Sequence, residues 1–209
     1  RCQPWCYIYV CMLGVFIFYD GRVDNSNKFT SYHIILQLIL ASVYFYNGIS
    51  AINPDFVEGS FVDMIWPIKN IMSDRQFLFF VKAGKIVPYL LIIIGIGFSI
   101  SSIRFLVIAL AILLHVFLLV LLFPSASHQN YALWFANIPF LVLLLLLFSG
   151  QIKDRYFSLA VLFQRLVFYP VFLFLLVLPI TNSFGFWPDF LSSNFRSGNN
   201  FSVKINLSE

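Results

Sequence analysis

The chain has 209 residues, 60% of them hydrophobic and 11% charged, with a mean hydropathy of +0.88; a soluble domain carries about 25% charged residues, so a soluble globule is excluded. The 13 Lys and Arg residues are scattered and form no basic stripe, which excludes nucleic-acid binding despite a pI near 9.0. All three cysteines fall within the first 11 residues, which excludes a disulfide scaffold.

Uncharged runs at residues 2–19, 29–54, 86–103, 105–152 and 166–188 are each long enough for at least one membrane-spanning helix, which needs about 20 mostly apolar residues. They predict an all-α membrane protein: a polytopic bundle of about six transmembrane helices within residues 1–181, with a short interfacial helix. The first span covers residues 4–19 and begins with Pro4 at a helix start, where its missing N–H is no loss. The chain opens on Arg1 without a basic n-region or a cleavage pattern, so the expectation is a piece of a longer protein entered just before a membrane helix. Span two, 31–52, is stopped by Asn53-Pro54-Asp55. An interfacial helix over 60–67 follows from the capping-box spacing of Ser60 and Asp63 and the helical recurrence of Phe61, Ile65 and Ile68.

Ser73 and Gln76 form a second capping pair ahead of span three, 77–101, whose start projects from the bilayer or tilts; Lys82 and Lys85 lie in that turn, and Pro88 is expected to kink it. Span four is 103–123, span five 131–148 after the polar break at 124–130, and span six 157–179 after Lys153-Asp154-Arg155. Residues 182–209 turn polar, and strict alternation over 201–209 predicts the first strand of an extramembrane segment leading into a further domain. With six spans both ends share one face. Short loops with Arg22, Lys28, Arg104, Lys153 and Arg155 make the other face cytoplasmic, so both ends are expected to be extracytoplasmic in a multi-pass cell-membrane protein, with the bacterial inner membrane as its location.

Cys2, Cys6 and Cys11 lack thiol-oxidoreductase or metal spacing and read as small apolar filler. His115 lies inside span four, where lipid offers its ring nitrogens no partner. It is either a packing residue bonded to a neighbouring helix or a proton carrier or ligand facing a cavity, and in both cases it should face protein. Arg165 is expected to snorkel to the cytoplasmic face. Gln37, Asn47 and Asn137 read as interhelical glue, while His128, Asn130 and Trp134 mark the outer edge of spans four and five. No phosphate loop, zincin signature or intramembrane carboxylate pair supports conventional hydrolase or kinase chemistry, and no metal site is expected.

Within residues 43–59, Tyr44-Phe45, Gly48, Asn53, Asp55, Phe56, Glu58 and Gly59 fall in step with a known signature. The stretch resembles that of the vitamin K-dependent gamma-carboxylase-like membrane domain, also called the horizontally transferred transmembrane domain. Gln3-Pro4-Trp5, Phe18-Tyr19-Asp20-Gly21, the helix holding His115, then His128, Asn130, Trp134 and Asn137, and finally Ser197-Gly198-Asn199 extend the likeness over most of the chain. In the carboxylase the lysine of the signature deprotonates a reduced quinone, and here that position is Ala51, which can take no proton. The resemblance thus implies structural parentage without the family's base. It makes Asn47, Ala51, Asn53, Asp55, His128, Trp134 and Asn137 candidate ligand contacts, with Ala51 facing the bundle near a mouth rimmed by Asn53 and Asp55.

Three functions compete. The first is a membrane scaffold or lipophilic-ligand-binding subunit with a membrane or extracytoplasmic protein partner. The second is an enzyme on a quinone or lipid, with His115 as acid or base and Lys82 or Lys85 assisting. The third is a DoxX-like redox-associated membrane subunit.

Overall fold

The structure, a computed structural model, describes residues 4–17, 26–121, 131–148, 163 and 168–181. It is 91% helical, with no strand among the described residues; the strand expected over 201–209, His128, Asn130 and Arg165 lie outside them. Helix α1 is Pro4–Ile17 and α2 is Ser26–Ser50. A helical connection follows, with a π turn over Phe56–Ser60, α3 over Phe61–Ile65 and a 3-10 turn over Trp66–Ile71. Next come α4 Asp74–Ala83, a 3-10 turn Gly84–Ile86, α5 Val87–Gly97, α6 Arg104–Leu121 and α7 Tyr131–Phe148. The last stretch is α8 Phe168–Val171, a π segment Phe172–Val177 and α9 Leu178–Thr181.

Among the described residues, three helices are long and apolar enough to cross a membrane: Tyr32–Ser50, Asp74–Gly97 and Arg104–Leu121. Ile8–Ile17, Asn137–Leu147 and Phe168–Thr181 are shorter apolar helices. Of the three long spans, the one in α2 is 61% buried and the other two 22%. Helix α2 packs on α1, α5, α7, α8 and the π segment, and this enclosure lets a membrane helix carry Gln37, Ser42, Tyr44, Tyr46 and Asn47, because protein groups rather than lipid meet them.

Helices α2 and α5 cross at backbone contact. A Cβ on Gly95 would lie 2.8 Å from both the Ala41 carbonyl oxygen and the Phe45 nitrogen, and one on Gly48 would lie 2.7 Å from the Pro88 oxygen and 2.8 Å from the Ile92 nitrogen. Small residues at these two positions set the interhelical distance. At the turn into α6, the Arg104 Nε donates to the Phe98 carbonyl at 3.0 Å, closing one of the open carbonyls at the end of α5.

Several expected boundaries shift. Ser73 and Gln76 do form a capping box, with Ser73 N donating to Gln76 Oε1 at 3.0 Å and Gln76 N to Ser73 Oγ at 3.4 Å. Ser60 does not cap: it is itself helical, with φ −57° and ψ −37°, and its side chain makes no cap hydrogen bond. An N-cap needs an extended backbone, as Ser73 has with ψ 154°. The connecting helix instead starts at Pro54, where Asn53 Oδ1 accepts the Phe56 N–H at 2.7 Å, and it runs on to Ile71 rather than covering 60–67 alone. Span three starts at Asp74 and ends at Gly97, and ahead of Pro88 the helix tightens into the 3-10 turn at Gly84–Ile86. That tightening answers the carbonyl that proline leaves without a donor. Gly84 is the seat of the Phe61 ring, since a Cβ there would fall 2.3 Å from a ring carbon.

Candidate functional site

Tyr44, His115 and Asn137 come from α2, α6 and α7 and meet in one hydrogen-bonded chain. The Tyr44 hydroxyl lies 2.5 Å from His115 Nε2, and His115 Nδ1 lies 2.7 Å from Asn137 Oδ1. The chemistry fixes the roles. Asn137 Oδ1 has only lone pairs, so Nδ1 carries the proton and donates; in a neutral ring Nε2 then holds a lone pair and accepts the Tyr44 O–H. All three side chains are buried, Tyr44 at 4% exposure and His115 and Asn137 at 8% each.

Helix direction brings them to one depth. Tyr44 is six residues before the end of α2, His115 six before the end of α6 and Asn137 six after the start of α7, which places each about 9 Å below the same end of the bundle. Aromatic rings close the sides: Phe140 stacks on His115 with centroids 5.9 Å apart and 13° between planes, and Phe98 meets Tyr44 edge-on at 5.5 Å. Above the chain, Ala51, Phe56, Phe61, Ile65, Phe77 and Leu121 form a second apolar cluster. This cluster joins the ends of α2 and α6 to the connecting helix and α4, so the polar chain sits beneath an apolar plug.

Other polar side chains of α2 also bind neighbours. Gln37 Nε2 donates to the Leu147 carbonyl at 3.4 Å, within the last turn of α7, whose carbonyls lack helical donors. The Tyr46 hydroxyl donates to the Leu176 carbonyl in the π segment. Asn47 turns back on its own helix, with Nδ2 donating to the Val43 carbonyl at 2.8 Å.

Among the described residues, the structure brings together His115 and Asn137 of those singled out from sequence. Asn47 bonds locally, although it was grouped with them. Asn53 bridges two helices, donating from Nδ2 to the Ser50 carbonyl at 2.5 Å while capping Phe56. Asp55, Lys82 and Lys85 are exposed. Ala51 does point inward, at 4% exposure, but its neighbours in the plug are all apolar. The Trp134 side chain lies outside the described residues. Tyr44 enters from sequence only as part of the signature pair Tyr44-Phe45, with nothing in its spacing to join it to His115. Among the described residues no cluster of His, Cys, Asp and Glu could hold a metal ion.

No family model, no curated protein and no solved structure matches the chain.

Proposed function

We propose that this is a six-span membrane protein, its spans α1, α2, α4–α5, α6, α7 and α8–α9, that serves as a membrane scaffold or lipophilic-ligand-binding subunit rather than as an acid–base enzyme. The observation that carries the reading is the full engagement of His115: one ring nitrogen is given to Tyr44 and the other to Asn137, each on a different helix. A general base must reach the proton that it removes within hydrogen-bond distance. Here both nitrogens are spent on ties between helices, under the apolar plug around Ala51. Ala51 at the position where the resemblance would place a basic lysine agrees with a site without that chemistry. The charge of the short loops supports a cytoplasmic face at Arg104, with the plug on the extracytoplasmic side.

The enzyme reading keeps one supporting observation. The Tyr44 hydroxyl bonded to His115 Nε2 places a proton donor directly on the ring. Protein reconstituted in vesicles with a long-chain benzoquinol separates the two. The scaffold reading expects no quinol consumption above empty vesicles, whereas consumption that His115→Leu abolishes without unfolding the protein would make His115 an acid–base group.

A further inference from the structure

The outward face of α4 and α5 carries cations and apolar residues in one continuous stripe. Arg75, Phe79, Lys82, Ile86, Tyr89, Ile93 and Ile96 follow one another at intervals of three or four residues, and all are exposed. Phe79 is 69% exposed and Ile86 64%. Lys85 and Leu78 flank the stripe and are exposed too. The rise from Phe79 to Ile96 is about 26 Å and from Arg75 to Ile96 about 32 Å, which brackets the ~30 Å hydrocarbon core. Measured up from Ile96, the lysines therefore start inside the hydrocarbon and Arg75 lies at its outer limit.

Lysines at that depth need a route to water or to a counter-ion. The helix direction provides one. Side chains on a helix tilt toward its N-terminus, and α4 has its N-terminus at the outer end of the span. Lys82 and Lys85 thus lean outward, with their methylene stems on apolar surface and their ammonium groups displaced about one helical turn toward Arg75. The connecting helix and span three together, residues 54–97, balance Lys69, Arg75, Lys82 and Lys85 against Asp55, Glu58, Asp63 and Asp74, but the stripe itself carries cations alone. Lys69 is engaged locally, its ammonium 4.4 Å from the centre of the Trp66 ring. Trp66 is 48% exposed and Ile71 80%, and an exposed tryptophan beside them belongs at the lipid–water boundary.

We propose that Lys82 and Lys85 hold the phosphate of an anionic phospholipid, below Arg75 at the outer limit of the stripe, with its acyl chains along Ile86, Tyr89 and Ile93. Lipid is the occupant because the stripe is continuous with the lipid-facing side of a membrane-crossing helix, and because the cations gather where headgroup phosphates lie. The two lysines are then lipid anchors, not assistants to His115. The inference rests on α4–α5 crossing the bilayer.

The test uses the full chain in nanodiscs of phosphatidylcholine with added phosphatidylglycerol, and native mass spectrometry to count retained lipid. The expected result is preferential retention of phosphatidylglycerol, weakened roughly tenfold or more in the Lys82→Gln/Lys85→Gln variant, since each cation near a lipid surface contributes about 1 kcal/mol. The Lys82→Arg/Lys85→Arg variant should retain it. Equal retention of both lipids by the native chain, or no loss in the glutamine variant, overturns the site. Nitroxide labels at Phe79→Cys and Ile93→Cys, in a background with Cys2, Cys6 and Cys11 changed to Ser, test the surface itself. Oxygen should relax both labels. A water-exposed Ile93 label would refute the crossing of α5 and the inference with it. An oxygen-accessible Ile93 label with a water-exposed Phe79 label would refute the lipid site alone, and dipolar broadening between Phe79 labels would give the face to a second copy of the chain.

Discussion

Removing the Tyr44 hydroxyl should be costly alone and nearly harmless in company. Tyr44→Phe leaves His115 Nε2 without the O–H that now lies 2.5 Å away, at a site only 8% exposed, and a buried polar atom left unsatisfied costs about 1–3 kcal/mol. His115→Leu strands the Tyr44 hydroxyl in the same way. It also removes the ring stacked on Phe140, which adds about 0.5–1.5 kcal/mol. The double variant Tyr44→Phe/His115→Leu strands neither group of that pair, because replacing both partners by apolar side chains can be nearly neutral. Its cost should fall short of the sum of the single costs by about 1–3 kcal/mol, the range of coupling for directly bonded residues. For a chain of this size 1 kcal/mol moves the melting temperature by about 2–4 °C. Thermal unfolding of the purified protein in detergent should therefore show Tyr44→Phe lowered by several degrees and the double variant no worse than His115→Leu. Additivity within about 0.5 kcal/mol would mean that Tyr44 and His115 do not bond, and the three-helix tie would lose its central link.

Two further substitutions probe the packing around this chain. Gly95→Ala should destabilise by about 1–3 kcal/mol, because the new methyl meets backbone atoms of Ala41 and Phe45 that cannot rotate away, whereas Gly14→Ala, with nothing within 4 Å of its Cβ position, should be neutral or stabilising; melting curves that rank them the other way would refute the close crossing of α2 and α5. Ala51→Lys should lower the melting temperature and yield well below Ala51→Leu, since position 51 is 4% exposed among apolar neighbours and an unpaired buried ion costs several kcal/mol; equal stability of the two variants would reveal an open polar route into the plug.

Charge spacing carried much of the architecture. The composition pointed to apolar helices, and three helices among the described residues are long and apolar enough to cross a membrane. Ser73 and Ser60 have the same spacing to a polar residue three positions on, yet only Ser73 caps a helix. Spacing reports which side chain could bond, whereas capping depends on backbone extension, and around Ser60 the apolar residues Phe56 and Phe61 hold the chain in continuous helix. At the site, His115 stood out because an imidazole in lipid has no partner, and Asn137 because an amide there is rare. Tyr44 did not stand out. A tyrosine in a membrane helix is ordinary, and its partner His115 is 71 positions away, so only the crossing of α2 and α6 reveals the bond. Position 51 was legible as alanine, but its apolar surroundings come from Phe77 and Leu121 on other helices.

The enclosure of α2 by α1, α5, α7 and the last stretch explains why it is the least apolar of the three long spans and still fits a membrane. A helix facing lipid must be apolar around its outer side, as α6 is with Phe105 at 85% and Val120 at 67% exposure. A helix enclosed by others is free of that demand and can spend its side chains on ties. Gln37 reaches the end of α7, Tyr44 reaches α6 and through His115 α7, and Tyr46 reaches the π segment of the last stretch. Gly48 meanwhile lets α5 approach its backbone. Apolar packing alone discriminates weakly among helix arrangements in lipid, because hydrocarbon tails are as apolar as the side chains that they would replace. Hydrogen bonds with fixed partners do discriminate: rotating α2 by one residue would strand the Tyr44 hydroxyl, the His115 Nε2 lone pair and the Gln37 amide together. Helix α2 thus constrains the arrangement of its neighbours, and the chain Tyr44–His115–Asn137 is where α2, α6 and α7 are held in register.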